Sequence, residues 1–216
     1  MNNIINRRVL IKSLLLLFSS SFSLSESNYY KKFTIIFGSC SNQNNKMDHW
    51  QTIINYKPDL LILLGDNVYG DFYDASATQL KQAYRKLSEN ISFQYIKNNI
   101  PIIPIWDDHD YGINDGGKNW EYKNIAKKLF LDFFSVDKND VRYKRDGIYT
   151  SKDFSLFNKK IKIISLDTRY FKDGFILNKN RSLNKKYIID YDKNKTILGK
   201  EQWNWLNNEL KKNMTY

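Results

Sequence analysis

The chain has 216 residues, 42% of them hydrophobic, so it is long enough to bury one sizeable core. It contains one cysteine, which excludes an internal disulfide, and its formal net charge of +11 favours phosphate-rich partners. The lysines are spread through a sequence that is also rich in Asn and Ile, with no dense arginine patch. This composition indicates coding bias rather than specific nucleic-acid recognition.

Residues 1–25 have the features of a twin-arginine-type signal peptide. Arg7 and Arg8 precede an apolar run at 14–18, and a Ser-rich stretch follows. The apolar run is too short for a transmembrane helix, and an uncleaved anchor is the alternative. Without residues 1–25 the chain keeps 31 basic and 23 acidic residues, a net charge of +8. We therefore expect a periplasmic or secreted protein without a stable membrane span.

The first predicted strand covers residues 33–37 and ends in Gly38-Ser39-Cys40. A lone cysteine is most often a small buried hydrophobe. Cys40, however, follows a glycine turn at the end of a strand. Near a bound metal its thiol would lose a proton and become a ligand.

The second predicted strand covers residues 59–64 and ends in Gly65-Asp66. Its apolar run shows no polar alternation, as is typical of a strand covered on both faces in an α/β sheet. Gly65 permits a tight turn, which places Asp66 at the carboxyl end of the strand, where open α/β sheets bind ligands. The alternative is that Asp66-Asn67 is a plain turn signal.

The third predicted strand covers the proline-bounded residues 101–105 and leads into Trp106-Asp107-Asp108-His109-Asp110. Such a density of carboxylates is costly unless a cation neutralises it, and a metal ion is the usual solution. The alternative is a solvated acidic loop. In a parallel sheet this acidic run would lie beside Asp66.

The remaining sequence alternates predicted helices and strands around these turns. Trp203, Leu206 and Leu210 share one face of the last predicted helix. The predicted helices are 48–56, 76–97, 119–134 and 201–210. The predicted strands are 147–150 and 160–166, in a hairpin through 158–159, and a long basic loop covers 178–195.

Five blocks occur in one order: Gly38-Ser39-Cys40, Gly65-Asp66-Asn67-Val68-Tyr69, Trp106-Asp107-Asp108-His109-Asp110, Leu166-Asp167-Thr168-Arg169 and Leu198-Gly199-x-x-Gln202-Trp203. Over about residues 33–210 the chain resembles the alkaline phosphatase D family of calcineurin-like metallophosphoesterases. The resemblance implies an α/β/β/α sandwich and a phosphoric ester hydrolase with iron and calcium.

Members of this family continue beyond the last of these blocks, so we expect residues 30–216 to be mainly the N-terminal half of the domain. A fragment, a truncated gene and a split enzyme remain open.

The resemblance also implies site residues. Cys40 and Tyr69 match iron ligands, Asp66 a carboxylate that bridges metals, and Asp108 a further metal ligand. His109 matches the catalytic histidine, and Asn114 and Arg169 match recurring positions that we assign to substrate binding. The alternatives are core packing for Tyr69 and a surface ion pair for Arg169. We interpret His49, the only other histidine, as structural.

These features predict an exported phosphomonoesterase or phosphodiesterase that releases phosphate from organic esters. Its partners would be small phosphate esters, and it would be a monomer if complete. Two alternatives remain open. One is an inactive half-domain that needs a second chain, and the other is a secreted basic module that binds polyanions without catalysis.

Overall fold

The computed structural model describes residues 32–156, 159–179 and 185–212. The predicted signal peptide, residues 1–25, lies outside the described residues. Apart from Lys32, all described residues belong to one compact unit, Phe33–Tyr216. No helix in these ranges is both long and apolar enough to cross a membrane.

A parallel sheet positions the three loops that carry the predicted site. Its strands are β1 (Ile35–Gly38), β2 (Leu60–Leu64) and β3 (Ile102–Ile105), in that spatial order. The pairs Ile35–Leu60 and Leu61–Ile102 set the register. Because all three strands run the same way, their carboxyl ends meet at one edge of the sheet. The predicted α/β class and the three strands are confirmed.

Seven helices are found in the described ranges, and they account for most of the predicted helical sequence. They are α1 (His49–Asn55), α2 (Thr78–Ser88), α3 (Ile91–Asn99), α4 (Asp108–Tyr111), α5 (Lys123–Phe133), a 3-10 turn (Val141–Tyr143) and α6 (Gly199–Lys211).

The single helix predicted over 76–97 is wrong, because the chain forms two helices there. Asn90 caps the second one, since its side chain accepts a hydrogen bond from the Phe93 amide. An N-cap residue of this kind begins a new helix and satisfies an otherwise unpaired amide.

An antiparallel hairpin follows, with β4 (Thr150–Leu156) paired to β5 (Lys159–Ser165). Its first strand was predicted at 147–150 but begins only at Thr150. The Ile148 amide instead donates to the buried Asp167 carboxylate at 2.9 Å, which holds this stretch outside the ladder. Lys159 pairs with Leu156, so it belongs to the strand and not to the connection, which lies outside the described residues.

The predicted loop over 178–195 contains the second strand of a small hairpin. Its strands are β6 (Ile176–Leu177) and β7 (Tyr187–Ile188), which pair antiparallel. Each strand has only two residues, too few to form a stable sheet without outside support. Residues 180–184, between these strands, lie outside the described ranges.

The last helix buries two polar side chains. Gln202 and Glu209 are buried, whereas Trp203 and Leu210 are exposed. Glu209 accepts hydrogen bonds from Ser151 and Lys162 of the β4–β5 hairpin, at 2.8 and 3.2 Å. The buried polar groups of this helix thus have hydrogen-bond partners.

Glu209 gives this contact a pH dependence. Hydrogen bonds from Lys212, Ser151 and Lys162 outweigh the burial of the Glu209 carboxyl and hold its pKa at about 2, below the ordinary 4.5. Because the folded-state pKa is lowered, the stabilisation is present above about pH 4.5 and is lost as the pH falls towards 2.

Glu209→Gln should lower the free energy of unfolding by about 1–3 kcal/mol at pH 7. Urea unfolding at a series of pH values would show the difference from the wild type shrinking below pH 4.5. A difference that stays constant down to pH 3 would contradict the assigned ion pairs. Glu201→Gln, at an exposed position of the same helix, is the matched control.

Candidate metal centre

The ends of β1 and β2 are joined by backbone hydrogen bonds. The Cys40 amide donates to the Gly65 carbonyl at 3.1 Å, and the Ser41 amide donates to the Asp66 carbonyl at 2.8 Å. Cys40 and Asp66 both have left-handed backbone conformations, with φ of 60° and 48°. Non-glycine residues seldom adopt this conformation, and such strain is typical of functional sites.

Gly65 lets the loop after β3 approach this junction. Its φ is 105°, and a Cβ at this position would lie 2.5 Å from the Asp107 Cβ. The loop after β3 begins with residues 106–110 and is called the acidic loop below. A side chain at Gly65 would push this acidic loop away from Asp66.

Three predicted residues converge at this edge of the sheet. Asp66, Asp108 and His109 each offer a ligand atom, and these atoms all lie within 4.8 Å of one another. The Cys40 Sγ lies 3.6 Å from the Asp66 Oδ2. The Tyr69 and His109 rings are 4.3 Å apart between centroids. The structure thus brings five of the seven predicted site residues into one cluster.

Tyr69 is held in place by a residue that the sequence did not single out. The buried Gln43 side chain donates to the Tyr69 carbonyl and accepts from the Tyr69 amide, both at 2.8 Å. This double hydrogen bond fixes the Tyr69 backbone beside the loop that carries Cys40.

The cluster disfavours further negative charge. Burial raises the pKa of Asp66, and the neighbouring carboxylates of Asp108 and Asp107 raise it further. Burial also raises the pKa of Tyr69, with additional effects from Asp66 and Cys40. A cation placed among these groups would reverse both shifts, because it favours the ionised forms.

His109 is oriented by Asp71, a second residue that the sequence analysis did not assign. The His109 Nδ1 lies 2.8 Å from the Asp71 Oδ1. Two backbone hydrogen bonds, Gly70 to His109 and Phe72 to Gly112, align the two segments around this pair. Partial burial opposes the charged imidazole, but Asp71, Asp108 and Asp66 outweigh it and raise the pKa of His109.

Arg169 reaches the same edge from the segment after β5. Its Nε donates to the Asp107 Oδ1 at 2.5 Å, and its Nη1 lies 4.0 Å from the Asp108 Oδ2. The guanidinium is mostly buried, so this is not an exposed surface ion pair. Asn114 is placed less centrally, since it is exposed and its amide donates to the Asp115 Oδ2 at 2.6 Å.

A family model described as PhoD-like phosphatase matches residues 35–215. The chain belongs to this family. The predicted resemblance to the alkaline phosphatase D family is therefore confirmed.

A solved structure described as "Structure of PhoD" shares the fold, with a TM-score of 0.59 and 19% sequence identity. The likeness covers 82% of this chain and 39% of PhoD, so the chain spans about two fifths of that protein's length. At this identity the likeness shows the fold alone, and it agrees with the prediction that the chain corresponds to part of a larger domain. A comparison with curated proteins finds no match.

Within this PhoD-like fold the adjacent carboxylates differ in their partners. Asp107 pairs with Arg169, and Asp71 pairs with His109. In the described part of the chain, no lysine or arginine donates a hydrogen bond to Asp66, which accepts from Cys40 and from the His109 amide. Asp108 likewise accepts only the Asp115 amide, at 2.6 Å. The two predicted metal ligands thus accept no hydrogen bond from a lysine or arginine among the described residues, although the Arg169 Nη1 lies 4.0 Å from Asp108.

Asp110 has a structural role. It is fully buried and accepts hydrogen bonds from the Asn67 amide, the Asn67 side chain and the Asp107 amide, at 3.1, 2.5 and 2.6 Å. The Asn67 side chain also donates to the Ile105 carbonyl at 2.9 Å. Asn67 therefore joins the β2 turn to the acidic loop, rather than being only a turn residue.

His49 lies outside the cluster, and its Nε2 is 3.0 Å from the Ser41 Oγ. It lines a cavity of about 300 Å³ together with Cys40 and the apolar residues Ile36, Trp50 and Leu63. Its contacts give it no place among the candidate ligands.

Asp110→Ala should destabilise the metal-free protein by about 2–4 kcal/mol, because three donors, two of them buried, lose their acceptor. Asp108→Ala should cost less than about 1 kcal/mol, since it relieves carboxylate repulsion. Urea unfolding of both variants without metal measures the two costs. Equal losses would contradict the division between structural and ligand carboxylates.

Proposed function

We propose that this chain carries the metal-dependent site of a phosphoric ester hydrolase, an alkaline phosphatase or phosphodiesterase of the PhoD type. The observation that carries the proposal is the convergence of Asp66, Asp108 and His109 ligand atoms within 4.8 Å. Membership of the PhoD-like phosphatase family supports the reaction class. The substrates proposed are small phosphate esters.

The side chains present fit a mixed iron and calcium centre. Cys40 and Tyr69 offer a thiolate and a phenolate, anionic donors suited to iron. Asp66 and Asp108 offer carboxylate oxygens, which calcium prefers. Asp66 lies between Asp108 and the two proposed iron ligands, Cys40 and Tyr69. Bound metal ions supply the positive charge and acidified water that phosphoryl transfer requires.

His109 is the proposed proton donor to the departing alkoxide. Because Asp71 pairs with the Nδ1 of the ring, the Nε2 is the nitrogen proposed to carry the transferred proton. Asp71 also stabilises the charged imidazole, which keeps a proton available for transfer. Asp71 is thus a positioning residue for His109.

Arg169 is the proposed ligand of the substrate phosphate. Asp107 holds its Nε, which leaves the Nη groups of the planar guanidinium for phosphate oxygens. Asn114 is exposed at the same loop and is a second proposed substrate contact. The proposed site of action is the periplasm or the exterior, because residues 1–25 have the pattern of an export signal.

Removing either of two ligands should abolish metal loading. We expect Asp66→Ala and Cys40→Ala to lose iron and calcium, measured by elemental analysis after reconstitution of the full chain. Asp48→Asn, at an exposed aspartate outside the cluster, should load like the wild type. Full iron and calcium occupancy in both ligand variants would contradict the assignment.

Substituting His109 should separate chemistry from metal binding. His109→Gln should lower kcat for p-nitrophenyl phosphate or its diester by about 10²- to 10⁴-fold, since the leaving group loses its acid. Asp71→Asn should lower kcat by about 10- to 100-fold, because the ring loses its orientation. Unchanged kcat in both variants, with metals retained, would exclude this role for His109.

A further inference from the structure

The loop after α4 is joined to a distant hairpin through Asp115. The Asp115 Oδ2 accepts hydrogen bonds from the Lys186 Nζ at 2.6 Å and from the Tyr187 hydroxyl at 2.5 Å. Asp115 itself has a left-handed backbone, with φ of 61°. These contacts hold the residue in a conformation that side chains seldom adopt unaided.

The same residue touches two members of the proposed site. Its backbone amide donates to the Asp108 Oδ2 at 2.6 Å. Its carboxylate also accepts from the Asn114 side chain at 2.6 Å. Asp115 therefore stands between the β6–β7 hairpin on one side and a proposed metal ligand and substrate ligand on the other.

A second set of contacts supports this junction. The Lys172 Nζ donates to the Asp115 carbonyl at 3.3 Å and lies 3.6 Å from the centre of the Phe175 ring. Phe175 in turn packs on Tyr187, with ring centroids 4.6 Å apart. The loop and the hairpin are thus linked through both the backbone and the side chain of Asp115.

These contacts help to hold the hairpin in position. Leu177 and Ile188 are exposed, and each strand has only two residues. A pair of strands this short is not stable by itself in water. The bonds to Asp115 therefore fix the hairpin and the acidic loop relative to each other.

We propose that Asp115 is a positioning residue that orients Asp108 and Asn114 by joining them to the β6–β7 hairpin. The proposal rests on the proposed function for the identity of Asp108 as a metal ligand. The hydrogen bond from the Asp115 amide to the Oδ2 fixes the orientation in which the Asp108 carboxylate faces the cluster. Groups that hold a ligand in this way commonly change metal affinity by about 10- to 100-fold when they are removed.

The test uses the full chain, freed of metal and titrated with Mn²⁺, with free Mn²⁺ measured by electron paramagnetic resonance. The double variant Lys186→Met/Tyr187→Phe should bind Mn²⁺ about 10-fold more weakly. Asp115→Ala should be affected at least as strongly. The melting temperature of the metal-free double variant should stay close to that of the wild type.

Two matched variants control for loss of charge and of general stability. Lys186→Arg keeps a cationic donor and should retain most of the Mn²⁺ affinity. Lys185→Met removes the neighbouring exposed lysine and should leave the affinity unchanged. An unchanged affinity in the double variant, or an equal loss in Lys185→Met, would overturn the proposal.

Amide hydrogen exchange gives a readout that needs no metal. The Asp115 amide should be protected in the metal-free wild type and should exchange about 10-fold faster in the double variant. Equal protection in both would show that the hairpin does not hold the loop. A wild-type chain that shows this protection but binds no Mn²⁺, iron or calcium would contradict the proposed function, and with it the role assigned through Asp108.

Discussion

Negative charge gathers at the carboxyl edge of the parallel sheet, and the need to compensate it shapes the surrounding structure. The turn after β2 and the loop after β3 both end in carboxylates, and parallel strands deliver them to one place. Asp110 is satisfied by amides, Asp107 by Arg169 and Asp71 by His109. Among the described residues, Asp66 and Asp108 accept no hydrogen bond from a cationic side chain, which favours the proposal of a cation between them.

Buried polar side chains, more than apolar packing, connect the carboxyl edge of the sheet to segments that are distant in the sequence. Gln202 of α6 donates to the Asp167 carbonyl and accepts from the Asp167 amide, at 2.8 and 2.7 Å. Asp167 in turn accepts from the Trp106 indole and from the Arg169 amide. The last helix thereby fixes both the start of the acidic loop and the residue that pairs with it. Gln43 fixes Tyr69 in the same way, because its side chain donates to the Tyr69 carbonyl and accepts from the Tyr69 amide.

The sequence predicted the elements whose signal is local. The apolar runs that become β2 and β3 end in glycine or acidic turns, so the strands and their junctions could be located. The break at Asn90 was missed because an asparagine can continue a helix or cap a new one, and only the local geometry decides. The buried positions of α6 could not be predicted, because Gln202 and Glu209 are polar and have their partners on other elements. Asp71 contacts His109, which is 38 residues away, and Asp115 contacts Lys186, which is 71 residues away. The spacing of residues in the sequence does not indicate contacts over such separations.

We propose that Cys40, Asp66 and Tyr69 form one side of a metal centre to which Asp108 also contributes. X-ray absorption at the iron edge of the full chain, reconstituted with iron and calcium, tests this proposal. We predict one sulfur neighbour of iron in the wild type, replaced by oxygen or nitrogen in Cys40→Ser. Iron with only oxygen and nitrogen neighbours in the wild type, and an identical spectrum in the variant, would contradict it.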